Sequence, residues 1–483
     1  MKKNLSKRLF AALMCATMVL PLASCGEKNN DGEIVTLKWY VPGNAQSDLD
    51  IVLAEVNKIT EKEIGAKVDL QFIDQASFTQ RMSMMMASGE EFDLMLTGYV
   101  NPFQTAWENG GLLDITEYVE KDKDLKKLLP DFAWEAASFN GEIYAVPNEQ
   151  VWANCQSIGL RTDLIKKYNF DVEKLKTYVG DDDKFWGYVA EGYWDKVKEQ
   201  DPDLIPFFMS GNTTYEAHDY EELAGGCAYD LRTKKVVCRD TSDFKKKEFT
   251  RHNNWFKKGY IRKDVLTSTD EMSDWNAGRY ASAVNVYKPG AEAQYNRNTG
   301  LDWLCVPYTR TSITRSAVQA TMTAVSATSK NPEKALELIK LVNTNKDLFR
   351  LIAHGIEGKH YEILDNGLIR INTDGGYNPQ GDWKFGCQYN AYPAEGQPVD
   401  VWEQTKKMNE EAAPSPLIGF SYDKNDILTE TTEIDTVRKK YHYSTMTDVD
   451  KDYAAWASDI KKAGSEKVRQ YFEEKINEYL ASK

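Results

Sequence analysis

Apolar residues in the first third of the chain recur with two alternating periods. Val35 to Val41 is a short β-rich run. Behind Ser47, the residues Leu49, Val52, Val56 and Ile59 share one face of a helix, and Gly65 is placed to stop it. From Lys67 to Ile73 the period becomes two, with Val68, Leu70 and Phe72 on one side, as in a half-buried strand. Ser77 and Gln80 have capping-box spacing, which predicts a further helix ending near Gly89. The run from Phe92 to Leu96 reads as a buried strand. Asn101-Pro102 reads as an N-cap followed by proline at the first helical position. Strands alternating with helices predict a mostly parallel sheet covered on both faces.

A hairpin follows, turning at Asn140-Gly141 between Ala137–Phe139 and Ile143–Val146, after which Pro147 redirects the chain. Residues 160–260 are charge-rich with few clean periods. A β-rich stretch from Ala283 to Tyr287 ends at Lys288-Pro289-Gly290. Asn331-Pro332 opens a helix with Leu336, Ile339 and Val342 on one face. The last helix follows Ser465, with Val468, Phe472, Ile476 and Tyr479 on one face. The acidic run Asp181 to Asp183 reads as a solvated loop, since it lacks EF-hand ligand spacing.

The start of the chain adds a destination. Lys2, Lys3, Lys7 and Arg8 precede an uncharged apolar stretch from Leu9 to Leu22, then Ala23-Ser24-Cys25-Gly26. This order reads as a secretory signal peptide, and its apolar run falls short of the ~20 residues that span a bilayer. Residues 1–24 carry four cations and no carboxylates, so their removal takes the formal net charge from −14 to −18. An acidic chain is a poor partner for nucleic acid, which is held by clustered Lys and Arg. Residues 27–33 are polar and suit a flexible tether. Cys227 and Cys238 flank a turn-like segment and could face each other across a hairpin; two unpaired thiols are the alternative. The absence of any C-x-x-C pair leaves a zinc or dithiol site without support.

Catalytic signatures are missing. The five histidines, His218, His252, His354, His360 and His442, form no H-E-x-x-H, and there is neither a G-x-S-x-G elbow nor a G-x-x-x-x-G-K-[ST] phosphate loop. Aromatics are plentiful instead: 12 Trp, 26 Tyr and 18 Phe. Their flat faces match the C–H faces of sugars, and Tyr and Trp add a polar tip.

Several strings carry a family resemblance. They include Ala87-Ser88-Gly89-Glu90, Gly110-Gly111-Leu112-Leu113-Asp114, Phe139 through Pro147, and Arg161-Thr162-Asp163-Leu164. Further on come Ser329 through Ala335, Gly355-Ile356-Glu357-Gly358-Lys359-His360-Tyr361 and Trp383-Lys384-Phe385-Gly386-Cys387-Gln388. The chain resembles the family 1 extracellular solute-binding proteins of ABC importers, specifically LplA-like lipoproteins with a C-terminal domain of unknown function. Leu22-Ala23-Ser24-Cys25 likewise resembles a lipobox, which implies acylation of Cys25 and anchoring to the outer face of the cytoplasmic membrane.

The resemblance implies an α/β fold of the two-lobed, periplasmic-binding-protein-like (Venus-flytrap) type, with hinge crossovers and a mixed α/β C-terminal extension. It assigns residues 34–146 and 287–325 to lobe 1. Residues 147–286 and 326–483 go to lobe 2, with the family-specific domain at about 345–483. Crossovers are expected near Pro147 to Gln150, Tyr287 to Gly290 and Thr323 to Ser326. The implied function is capture of an extracellular solute, a carbohydrate or oligosaccharide, by lobe closure and delivery to permease subunits. The implied protein is a monomer that needs no cofactor and catalyses no reaction. A secreted glycan-active hydrolase and a surface glycan-binding adhesin are the competing classes. Candidate ligand residues follow strands or sit at crossovers: Tyr40, Asn44, Tyr99, Gln150, Trp152, Tyr287 and Lys288. Glu357, Trp383 and Asn390 come from the two family-specific strings, as does His360, for which a purely structural role is the alternative. Cys387 stands where the resemblance leads one to expect Asn.

Overall fold

The computed structural model describes residues 34–153, 155–209 and 220–483. The leader, Cys25 and the tether lie outside them. The chain begins with strand β1 (Val35–Pro42), helix α1 (Leu49–Ile64), strand β2 (Ala66–Ile73), helix α2 (Gln75–Ser88) and strand β3 (Leu94–Gly98). β1 pairs in parallel with both β2 and β3, as the βαβ pattern predicts. Gly65 ends α1 in the left-handed conformation at φ 66°, which a residue with a Cβ adopts only at a cost. Helix α2 is capped by Asp74, whose side chain accepts from the Ala76 amide, and not by Ser77. After Asn101, Pro102 takes the cap position and the helix starts at Phe103.

The two-residue strand β4 (Val146–Pro147) closes the edge of this sheet. The chain then enters a second body built on β5 (Cys155–Arg161), β6 (Ser282–Tyr287) and β7 (Trp303–Pro307), with β5 central and both neighbours antiparallel to it. Strand β8 (Thr321–Val325) returns to the first sheet, giving the order β2-β1-β3-β8-β4. Helices α3 (Pro332–Thr344) and α4 (Lys346–His354) then pack on the first core. Helix α5 (Val401–Glu411) leads to the C-terminal helices, which end with α6 (Ser465–Ala481).

Each body has its own core. Leu37, Trp39 and Val41 of β1 meet Val52 and Val56 of α1, together with Leu338 and Ile339 of α3. At about 1.5–3 kcal/mol per buried aliphatic side chain, the α3 face anchors that helix firmly to the first lobe. In the second body Trp186, Trp194, Phe207, Trp255 and Tyr260 interlock, and Phe420, together with Trp456, Val468 and Phe472 of the C-terminal helices, joins the same core.

The lobe boundaries therefore differ from those expected. The turn at Lys288-Pro289-Gly290 ends a strand but not a lobe. Residues Trp303–Pro307 still pair with β5, so the stretch up to Pro307 belongs to the second body. Likewise Thr323 to Ser326 is no crossing. β8 is buried in the first sheet, and the residues after it stay on the first core through Ala391 and Ala412. The chain crosses between Pro147 and Cys155, between Pro307 and Thr321, and again around residues 412–417. Asp181 is not in a solvated loop: its side chain caps the helix Asp182–Val189 by accepting from the Lys184 amide.

Candidate functional site

Trp383 lies in a tight turn, Asp382–Lys384, flanked by Gly381 at φ 144° and Gly386 at φ 145°. A Cβ at Gly381 would sit 2.6 Å from the indole nitrogen of Trp383, so glycine is what lets the ring fold back over the turn. The indole reaches Tyr99, with ring centroids 5.7 Å apart. Tyr99 follows β3, is 59% exposed, and has its hydroxyl hydrogen-bonded with Gln75. Tyr40, near the end of β1, packs edge-on to Phe92 at 5.6 Å and abuts the same apolar cluster as Trp383. Burial and the Glu90 and Asp69 carboxylates raise its phenol.

The second body approaches this aromatic group with Lys288, which follows β6. Burial holds the Lys288 amine below its usual range although the side chain reaches solvent, and the carboxylate opposing that shift is Asp382. Burial also raises Asp382, which accepts from Gln388 Nε2 at 2.8 Å and feels Lys288 in return. A cation on one body and a carboxylate on the other thus face each other in a partly dehydrated gap. Beside them, Lys384 donates to the Pro379 carbonyl at 2.7 Å, and burial lowers its amine to about 8.

The floor of this gap is the first crossing, which residues 383–409 clamp. Asn148 Nδ2 donates to the Trp383 carbonyl at 3.0 Å, and the Gln388 amide to the Glu149 carbonyl at 2.8 Å. The Cys387 thiol donates to the Glu149 carboxylate at 3.3 Å. The Gln150 carbonyl accepts from Asn409 Nδ2 at 2.7 Å and from the Tyr389 hydroxyl at 3.1 Å. Asn409 Oδ1 accepts from the amides of Trp152 and Ala153 at 3.0 and 2.8 Å. The other two crossings run side by side. The Ser415 amide donates to the Ile313 carbonyl at 2.8 Å, and the buried Glu221 carboxylate accepts from the Arg315 amide at 3.2 Å and from the Ser415 hydroxyl.

Tyr40, Tyr99 and Trp383 thus share one side of the first body, with Lys288 facing Asp382 beside them, while Tyr287 is half-buried against the Trp275, Tyr295 and Trp303 cluster of the second body. Gln150 lies at the floor of the gap, where its side-chain amide donates to Thr321 Oγ1. Asn44 is exposed on the loop after β1, where its carbonyl accepts from Gln46 Nε2 at 2.7 Å. Its neighbour Gly43 lies beside Lys384 Nζ.

Three candidates sit elsewhere. Trp152 is 2% exposed and packs against Phe132 inside the first core. Asn390 is buried, donating to the Asn343 carbonyl at 2.8 Å and accepting from Arg350 at 3.0 Å, and so it staples the clamp to α3 and α4. Glu357 projects from a different face, in a cavity of about 350 Å³ shared with Glu55 of α1 and Asp347 and Arg350 of α4. His360 is structural as well. It is fully buried, accepts from the Ile356 amide at 2.8 Å and donates to Asp48 at 3.2 Å. The family-specific string at 355–361 therefore fastens the loop before α1 and does not line the gap.

Sequence reasoning missed Asp382, Glu149 and Asn409. Asp382 adjoins a flagged tryptophan and was within reach. Asn409 is one polar position among many on an amphipathic helix, and nothing local distinguishes it. Among the described residues no group of three or more His, Cys, Asp or Glu side chains is placed to hold a metal ion. Among them, too, no helix is long and apolar enough to cross a membrane.

Comparison with known proteins gives this geometry a context. The family model described as bacterial extracellular solute-binding protein matches residues 46–348, and a domain of unknown function, DUF3502, matches 416–481. The chain is 28% identical, over the whole of both sequences, to a carbohydrate ABC transporter substrate-binding protein of Streptococcus pneumoniae. It superposes with a TM-score of 0.81 on the crystal structure of the N-glycan transport solute-binding protein NgtS from Streptococcus pneumoniae, at 27% identity, covering 93% of this chain and 99% of that one. Against the same protein in complex with Man1GlcNAc the TM-score is 0.72, at 26% identity over 92% of this chain and 100% of that one. Against its complex with Man5GlcNAc it is 0.68, at 27% identity over 93% and 99%.

Proposed function

The chain belongs to the bacterial extracellular solute-binding proteins, and from that premise we propose that it captures an oligosaccharide between its lobes and delivers it to an ABC permease. The observation that carries the reading is the exposed Tyr99 beside the half-buried Trp383 on one lobe, with Lys288 of the other lobe facing the adjacent Asp382. The two rings, tilted at 51° to each other, offer a sugar apolar faces, while Lys288 and Asp382 offer its hydroxyls charged hydrogen-bond partners in a partly dehydrated gap. Contacts to both lobes exist only when the lobes approach, so a ligand that makes them favours the closed state.

The TM-scores of 0.81, 0.72 and 0.68 against three structures of one relative, at nearly constant identity, support lobe arrangements that differ among those structures, two of which are glycan complexes. The glycans carried by that relative make N-glycan fragments the first class to test. No bond of the cargo is broken in this reading. Leu22-Ala23-Ser24-Cys25 supports acylation of Cys25 and tethering near the permease.

Calorimetric titration of the processed chain with Man1GlcNAc and Man5GlcNAc tests the proposal. Saturable binding is expected, with the glycan recovered intact and a rise in melting temperature that follows mass action. Absence of binding to any oligosaccharide, or release of cleaved sugar, overturns it. Exchange of Cys25 for Ala should move the protein from the membrane fraction to the medium. Continued membrane association would refute the anchor.

A further inference from the structure

At the edge of the second body three short strands, Tyr220–Glu222, Cys227–Asp230 and Lys235–Cys238, form an antiparallel sheet. Cys227 and Cys238 stand directly opposite each other in its register. Residues paired in this way have Cα atoms about 4.5–5.5 Å apart, inside the range of about 4.4–6.8 Å that a disulfide spans. The side chains point to the same face, because the Cys227 thiol donates a hydrogen bond to the Cys238 sulfur. Both are free thiols here; Cys227 is fully buried and Cys238 partly exposed.

Their surroundings divide the roles. The hydroxyls of Thr241 and Ser465, the latter opening the long helix α6, hydrogen-bond to Cys238 and favour its thiolate. The hydrogen bond to Cys238, burial and Asp240 push Cys227 the other way and keep it protonated, with Arg469 opposing them.

We propose that Cys227 and Cys238 are a built-in disulfide site, closed by thiol–disulfide exchange with a low-molecular-weight disulfide outside the cell. The Cys238 thiolate attacks one sulfur of RS–SR, forming a mixed disulfide and expelling RS⁻. Cys227 then gives up its proton, attacks the Cys238 sulfur and expels the second RS⁻. Two protein thiols and one RS–SR become one protein disulfide and two RSH, with the two thiol protons passing to the released thiolates.

The bond ties the two strands of a hairpin that carries structural weight on both sides. Helix α6 packs on Lys235–Cys238. The neighbouring strand Tyr220–Glu222 supplies Glu221, which holds the second and third crossings together. Closure of the bridge stiffens the hairpin on which helix α6 packs.

The test uses the secreted chain carrying Cys25→Ala, fully reduced and then exposed to oxidised glutathione, followed by alkylation in denaturant and mass spectrometry. The expected product is lighter than the reduced, alkylated chain by two alkyl groups, yields one cross-linked peptide pair joining Cys227 to Cys238, and leaves Cys155, Cys305 and Cys387 alkylated. Its melting temperature should lie roughly 5 °C above that of the reduced chain, as expected for a bridge closing a loop of about a dozen residues. Full alkylation of both cysteines after exposure, or a glutathione adduct on Cys238 that Cys227 never resolves, would overturn the proposal. The mass readout is made on the natural pair, so it does not depend on a cysteine variant folding.

Discussion

Two tryptophans that both follow sheet strands or turns of the first lobe have opposite fates. Trp383 leaves one face beside Tyr99 at the gap, while Trp152 is sealed in the core against Phe132. Trp383→Ala should weaken oligosaccharide binding 10- to 100-fold, about 1.4–2.7 kcal/mol, with little change in unfolding temperature. Trp152→Ala should cost about 3–5 kcal/mol of stability and leave the affinity of the folded fraction unchanged. Calorimetry and denaturant unfolding of both variants separate the two roles.

A second residue-scale prediction concerns acid. His354 is 8% exposed, its Nε2 has no hydrogen-bond partner, and the rings of Tyr361 and Tyr392 lie beside it. Burial, with help from Arg350, lowers it to about 4. The unfolded imidazole, near 6.5, binds a proton that the folded one refuses. The stabilisation is therefore whole above pH 6.5 and is lost as pH falls toward 4. Between pH 7 and pH 5 this amounts to about 2 kcal/mol. Buried His252 is lowered for the same reason and adds to the loss. Urea midpoints should fall over that interval, and His354→Gln should flatten the slope.

At the scale of elements, the informative joint is the clamp on the first crossing. Asn409 accepts from the amides of Trp152 and Ala153, and it shares the carbonyl of Gln150 with the Tyr389 hydroxyl. Asn409→Ala strands the two amides, each costing about 1–3 kcal/mol when left unpaired and buried, so a loss of about 3 kcal/mol is expected in chemical denaturation. Asn409→Asp keeps the acceptor and should recover part of it.

This joint also marks where reading along the chain gives out. Local signals were plain: the period-three-to-four faces of α1 and α6, the period-two face of β2, the stop at Gly65, and the Asn140-Gly141 turn, whose residues have φ of 54° and 87°. Tyr99 and Lys288 follow strands and were visible for that reason. The Asn409–Trp152 contact joins positions 257 residues apart, and no local pattern encodes it. The crossings were misplaced for the same cause. A Pro-Gly turn says that a strand ends, but only its distant partner β5 says to which lobe the next strand returns.

At the scale of the whole molecule, two cores are joined by three crossings, and the gap lies where the aromatic face of one lobe meets the cation of the other. The C-terminal helices pack on the second core yet reach the first lobe, where Tyr479 donates to Glu135 at 2.8 Å and Gln104 donates to the Tyr422 carbonyl at 2.9 Å. The proposed closure would have to preserve or exchange these contacts while the crossing at Asn148–Gln150 moves. Small-angle scattering of the processed chain, titrated with Man5GlcNAc, tests this most directly. The account predicts a saturable fall in the radius of gyration that reverses when the glycan is dialysed away intact. An unchanged radius at saturating glycan would contradict it.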